Sequence, residues 1–136
     1  MFEKVQEFNL KVVCVPGDRK PGELEPSERD WLINALAEEI GEFADAHNNQ
    51  DFVGSIDALI DLIYFAMGGL TRLGLRAEVS TEIFNAVHAA NMAKASGVKE
   101  ERDVTHDLDA VKPEGWVSPE ETIAGILEKH YGKSVE

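Results

Sequence analysis

The sequence predicts an all-α fold, an antiparallel helical bundle completed by oligomerisation. Apolar residues recur at helical spacing through several long stretches. Serine- and proline-based start signals precede two of them. No strand alternation, heptad register or internal repeat competes with that pattern, so helices of about 20 residues joined by short turns should pack side by side.

Phe2, Val5, Phe8 and Leu10 stand among charges and predict a short amphipathic helix over residues 2–12. V-P-G-D-R-K-P-G then forms a connector that cannot continue a helix. Ser27, with Asp30 three residues on, has the pattern of a capping box. Trp31, Leu32, Ala35, Leu36 and Ile40 follow at helical spacing, which predicts a first long helix over 28–47, broken by H-N-N-Q-D. A second runs from Phe52 to Leu73. Its Ile56, Leu59, Ile60, Ile63, Phe65, Met67 and Leu70 cover so much of the circumference that it should be buried on most sides, in a bundle or at a subunit contact. Gly68 and Gly69 near its end weaken the helix but permit close approach by a neighbour.

After a turn at G-L-R, a third long helix is expected over Ser80 to Ala95, with Ile83, Phe84, Val87 and Met92 on one side and Gly97 to end it. Residues 97–117 read as a polar ordered loop. S-P-E-E starts the last helix, with Ser118 as cap, Pro119 first and Glu121 closing the box.

At 136 residues, 43% of them hydrophobic, the chain should be one domain over 1–136. Its net charge of −13 argues against nucleic acid or an anionic membrane as partner. Cys14 is a lone cysteine, expected as a small, partly buried apolar residue, and a reducing compartment fits it. The run Leu62 to Leu70 is far shorter than the roughly 20 residues a bilayer needs. The first residues carry glutamates where a signal peptide would be basic. A cytoplasmic protein, or one of the host cytoplasm if viral, is expected.

The chemistry begins at A-E-E-I-G-E-F. Glu38, Glu39 and Glu42 fall at i,i+3 and i,i+4 and share one side of a helix, where like charges repel. Asp57 and Asp61, also i,i+4, are embedded in the most apolar helix, where carboxylates are costly unless a positive group meets them. Between Lys20 and Arg72 the chain supplies only Arg29. These five acids point to a metal site. Oxygen-only ligands select Mg²⁺ or Mn²⁺, and so many carboxylates suit two or three ions bridging a polyphosphate.

In V-H-A-A-N-M-A-K, Asn91 and Lys94 are placed to hold phosphate oxygens, with His88, Lys99 and Lys112 as weaker candidates. Trp31 and Asn34, upstream of the glutamates, suit stacking on a base and hydrogen bonding to its edge, which favours a purine such as dGTP or dATP over dUTP. Trp116 is a further aromatic in the loop.

Together, E-E-I-G-E-F, D-A-L-I-D-L-I-Y-F-A-M-G and V-H-A-A-N-M-A-K resemble the all-α nucleoside triphosphate pyrophosphohydrolases, the superfamily of MazG, dimeric dUTPases and phosphoribosyl-ATP pyrophosphohydrolase. V-Q-E-F and the late K-P-x-G-W-x-x-P resemble its compact phage- and bacterium-type members. The resemblance implies cleavage between the α and β phosphates with Mg²⁺ or Mn²⁺, in a homodimer or homotetramer. By position, Glu38, Glu39, Glu42 and Asp61 match the metal-binding and catalytic acids. The broad family has E-x-x-D on the second helix, and its glutamate is here Ala58; Asp57 follows the D-A-L-x-D variant. Glu38 or Glu39 would handle the attacking water. One competing reading is a non-catalytic helical module that uses metal to fasten its oligomer; another is a hydrolase of a different phosphoanhydride such as phosphoribosyl-ATP, against which the chain shows no obvious basic patch for the extra phosphoribosyl group.

Overall fold

The computed structural model describes residues 1–133 and is helical apart from one short hairpin. Five helices run α1 (Phe2–Lys11), α2 (Pro26–Asn48), α3 (Phe52–Arg72), α4 (Ala77–Met92) and α5 (Glu120–Tyr131). The chain forms two compact units, one over residues 1–80 and one from residue 81 onward. Each is described by itself.

In the first unit, α2 and α3 form a hairpin through residues 49–51, and α2 and α1 both pack on α3. The Asp51 side chain caps α3 by accepting from the Gly54 amide at 2.9 Å. Two adjacent glycines set how closely its neighbours approach, as expected. A β-carbon on Gly68 would come within 3.0 Å of the Asn9 amide of α1, and one on Gly69 within 2.9 Å of Leu32 of α2. The helix ends in a Schellman motif: Gly74 N–H donates to Thr71 O and Leu75 N–H to Leu70 O, both at 3.0 Å. Gly74 has φ +84°, and a β-carbon there would meet Lys20 O at 2.5 Å, so the turn requires glycine.

Several expectations need correction. Helix α2 starts at Pro26 with Glu25 as its cap, so Ser27 lies inside the helix. Proline lacks the N–H that the first turn leaves unpaired, and its fixed φ begins the helix earlier than serine would. Ile40 is exposed, and the buried face of α2 carries Ala35 and Glu39. Within this chain α3 buries mainly small residues, Ser55, Ala58, Gly68, Gly69 and Thr71, with Met67. Phe52, Val53, Ile56, Leu59, Ile60 and Ile63 stay exposed. By length and mean hydropathy (1.5) α3 is long and apolar enough to cross a membrane, although Asp57 and Asp61 lie within it. Cys14 is exposed, with φ 61°.

Helix α4 begins three residues earlier than expected and ends at Met92, which is exposed, as is Phe84. Gly97 belongs instead to strand β1 (Ala95–Gly97), paired antiparallel with β2 (Asp109–Val111) in the register Ala95↔Val111, Ser96↔Ala110 and Gly97↔Asp109. Three-residue strands are too short to display alternation. A β-carbon on Gly97 would press on Val111 at 2.9 Å, so the glycine serves strand pairing. Helix α5 has Pro119 at its cap, and Ser118 makes no capping bond. In this second unit Glu82 of α4 accepts from Lys129 at 2.9 Å and pairs with His130 at 2.7 Å, joining α4 to α5.

An ion-pair network closes the open end of the α2–α3 hairpin. Arg19, from the connector, donates to both Glu28 oxygens at 2.9 Å and to Arg72 O at 2.7 Å, and Arg72 donates to Glu28 at 2.7 Å. Burial raises the Glu28 carboxyl, but hydrogen bonds from Arg19 and Arg72, with their charges, outweigh it and hold the group below 4.5. A lowered folded pKa stabilises above the unfolded value, and the effect is lost as pH falls through the folded one. Glu28→Ala is expected to cost about 2–3 kcal/mol near neutral pH in chemical denaturation. The difference from the wild type should shrink as pH drops below 4.5.

Candidate functional site

The five acids predicted from sequence all lie on α2 and α3 in the first unit. Glu38, Glu42 and Asp57 are exposed and Asp61 is half-buried. Glu39 differs from them, being 8% exposed, with Oε2 buried and lacking any hydrogen-bond partner. Burial is the main cause raising its carboxyl above 4.5; the charges of Glu42, Asp61, Glu38 and Asp57 push it further the same way. The charges of the other four acids thus all reach Glu39. Among the described residues, no three His, Cys, Asp or Glu side chains stand close enough to hold an ion as they are placed.

The residues nevertheless fit a hard divalent cation. An orphaned, buried carboxylate oxygen among four further carboxylates is a donor set for Mg²⁺ or Mn²⁺. Within this unit no amine or guanidinium meets that oxygen.

Glu39 and Asp61 also line a cavity of about 510 Å³ in the first unit, with Phe8, Asn9, Trp31, Tyr64, Phe65, Gly68 and Arg72 among its walls. The aromatic walls are braced in pairs: Phe8 meets Tyr64 edge-on at 5.4 Å, and Trp31 meets Phe65 edge-on at 6.0 Å. The Arg72 guanidinium lies 4.1 Å from the Trp31 ring centroid and covers one face of it. Trp31 therefore reaches the cavity with one face already stacked. Asn34 is exposed and does not line this cavity; the amide that does is Asn9.

Sequence reasoning missed Asn9, Phe8, Tyr64 and Arg72. The available signal was Asn9 one turn beyond Val5 on the inner face of α1, where an apolar residue would be the ordinary choice.

Asn91 and Lys94 belong to the second unit. Lys94 Nζ donates to Asn91 Oδ1 at 2.8 Å. Trp116 is anchored to α4 by its indole N–H, which donates to Ala90 O at 2.7 Å. The Lys94 and Lys112 ammonium groups lie 5.1 and 4.8 Å from its ring. Lys112 and Trp116 thus join the two predicted residues in one cationic cluster. His88 is exposed, and Lys99 lies half-buried in the hairpin region.

A helical protein with clustered carboxylates beside an aromatic cavity is suited to a nucleotide and its counter-ions. The chain belongs to the phosphoribosyl-ATP pyrophosphohydrolase family, whose model matches residues 17–91, and so to the all-α nucleoside triphosphate pyrophosphohydrolase superfamily. The matched stretch holds α2, α3 and nearly all of α4, with the five acids and Asn91; α1, Lys94 and the hairpin fall outside it. None of the curated proteins matches the chain. Family membership supports a pyrophosphohydrolase acting on a nucleotide-like substrate.

The raised carboxyl of Glu39 has a measurable consequence. The folded state binds its proton more tightly than the unfolded state does, so stability falls as pH climbs from 4.5 through the raised value. In metal-free buffer Glu39→Gln should melt above the wild type at neutral pH, and the gain should vanish as pH is lowered past 4.5. A neutral-pH melting temperature at or below that of the wild type would contradict this account of Glu39.

Proposed function

We propose that the protein hydrolyses a (deoxy)nucleoside triphosphate at the α–β phosphoanhydride, giving the monophosphate and diphosphate. The observation that carries the proposal is Glu39, a buried, unpartnered carboxylate that lines the aromatic cavity beside Asp61. A base in that cavity would leave its phosphates among the carboxylates, where only cations could make their presence favourable.

Glu38, Glu39, Glu42, Asp57 and Asp61 are the residues that would hold Mg²⁺ or Mn²⁺, two or three ions per site. Bound there, such ions would offset the charge of the phosphate oxygens and lower the pKa of a water. Glu38 or Glu39 takes its proton. Glu39 is the better placed of the two, since it lines the cavity. The water oxygen bonds to the α phosphorus as the bond from that phosphorus to the bridging oxygen breaks in line. Asn91 and Lys94, joined to each other by a hydrogen bond, are the proposed holders of phosphate oxygens. A purine such as dGTP or dATP suits the volume of the cavity and its aromatic walls.

Association into a homodimer or homotetramer is part of this proposal. Ile33 and Ile40 of α2 and Phe52, Ile56, Ile60 and Ile63 of α3 are exposed in the single chain, more apolar surface than two neighbouring helices ordinarily leave in water.

The family's description names phosphoribosyl-ATP, which makes that compound a second candidate substrate. The deciding assay gives the protein common ribo- and deoxynucleoside triphosphates and phosphoribosyl-ATP, each with Mg²⁺ or Mn²⁺, and measures diphosphate. Release from a nucleoside triphosphate, abolished by Glu42→Gln or Asp61→Asn in variants that keep the wild-type circular dichroism, is the expected result. Release from phosphoribosyl-ATP alone would establish the second substrate. A metal-dependent rise in melting temperature with no turnover of any substrate would identify a non-catalytic, metal-fastened module.

A further inference from the structure

Asn9 is among the most buried polar side chains of the first unit, at 5% exposure, and it lines the cavity rather than the helix contact alone. Its Nδ2 donates to Val5 O one turn back, at 2.9 Å. Only the nitrogen of the amide can donate to a carbonyl, so this bond fixes which end of the side chain is oxygen. Oδ1 accepts no hydrogen bond from the protein. The amide lies against the bare backbone of Gly68, where a β-carbon would come within 3.0 Å of Nδ2 and 3.2 Å of Oδ1. Glycine at that position therefore leaves room for the amide beside the cavity. An acceptor held in place at the cavity, with no donor from the described residues, is open to a ligand that brings an N–H.

We infer that Asn9 is the base-reading residue of this cavity, accepting a hydrogen bond from an exocyclic amino group of a purine through Oδ1. The inference rests on the nucleotide reading of the site and adds to it the group that is recognised. An amino group presents donors, which suits a carbonyl oxygen that accepts from none of the described residues while one N–H of the same amide is engaged with Val5. The ring N–H of uracil or thymine is a single donor flanked by two carbonyl oxygens, whereas an exocyclic amino group offers two donors. The cavity thus favours amino-bearing bases over dUTP-like ones, and the braced pairs Phe8–Tyr64 and Trp31–Phe65 form its aromatic walls.

The test compares substrates that differ only in the amino group: ATP with purine riboside triphosphate and GTP with inosine triphosphate, or their deoxy forms. For the preferred purine, wild-type kcat/KM should fall at least about tenfold when the amino group is removed. Asn9→Leu, close in size and unable to accept, should erase that difference while leaving the wild-type circular dichroism. Equal kcat/KM for both members of both pairs in the wild type would overturn the inference whether or not the variant folds. So would a folded Asn9→Leu protein that keeps the full discrimination. If no nucleoside triphosphate is hydrolysed, the catalytic reading has failed by itself, and the same pairs of monophosphates are titrated by calorimetry. Tighter binding of the amino-bearing members, lost in Asn9→Leu, then supports the role of Asn9, and equal or absent binding refutes it.

Discussion

The packing of α2 along α3 is the constraint on which the rest of the first unit depends, because it buries a carboxylate. A core-facing position on α2 that would ordinarily take a leucine holds Glu39, and the helix behind it brings two aspartates. Burial and four neighbouring charges all disfavour its ionised form. Among the described residues nothing relieves this at Oε2. Folding therefore accepts a local penalty, and the penalty has a sign: a positive charge beside Glu39 would relieve it. Under the proposed function, this electrostatic cost in the free protein becomes affinity for a cation.

The surrounding interactions keep that arrangement open rather than collapsed. At one end, Glu28 binds Arg19 and Arg72 together, so two cations share one carboxylate and the network retains a net positive charge. Arg72 then lies on Trp31, which is braced edge-on by Phe65. Across the cavity α1 contributes Phe8 against Tyr64, and Asn9 against Gly68. These wall residues are held by one another, and this is what lets a space of about 510 Å³ persist in so small a unit.

The helices were legible in the sequence because their apolar periodicity is a global signal, and α3 was placed almost to the residue. Their ends were less legible. Ser27 and Ser118 have the right chemistry for caps, but Pro26 and Pro119 decide where those helices start. The hairpin was invisible because three residues are too few to alternate. Of the site, the acids could be read from their spacing on two neighbouring helices. Which acid is buried could not, since Glu39 and Ile40 are adjacent and the pattern favours the isoleucine inside. Asn9 was missed for a related reason: a polar residue at a core position of a short helix carries no motif, and its significance comes from Gly68, some sixty residues away in the chain.

Ile40 and Glu39 show what the apparent misfit accomplishes. Rotating α2 to bury Ile40 would carry Glu39 out toward water, relieve its charge, and turn the acids away from one another. The observed rotation exposes Ile40 along with Ile33, while Ile56, Ile60 and Ile63 are exposed on α3. The same choice therefore creates the buried carboxylate and leaves apolar surface uncovered on both helices. Covering that surface with further copies of the chain would stabilise the rotation that keeps Glu39 inside. Under the proposed assembly, association and the charge state of the site are linked: subunits that separate lose part of what holds α2 in register, and with it the environment that raises the proton affinity of Glu39 and readies it for a cation.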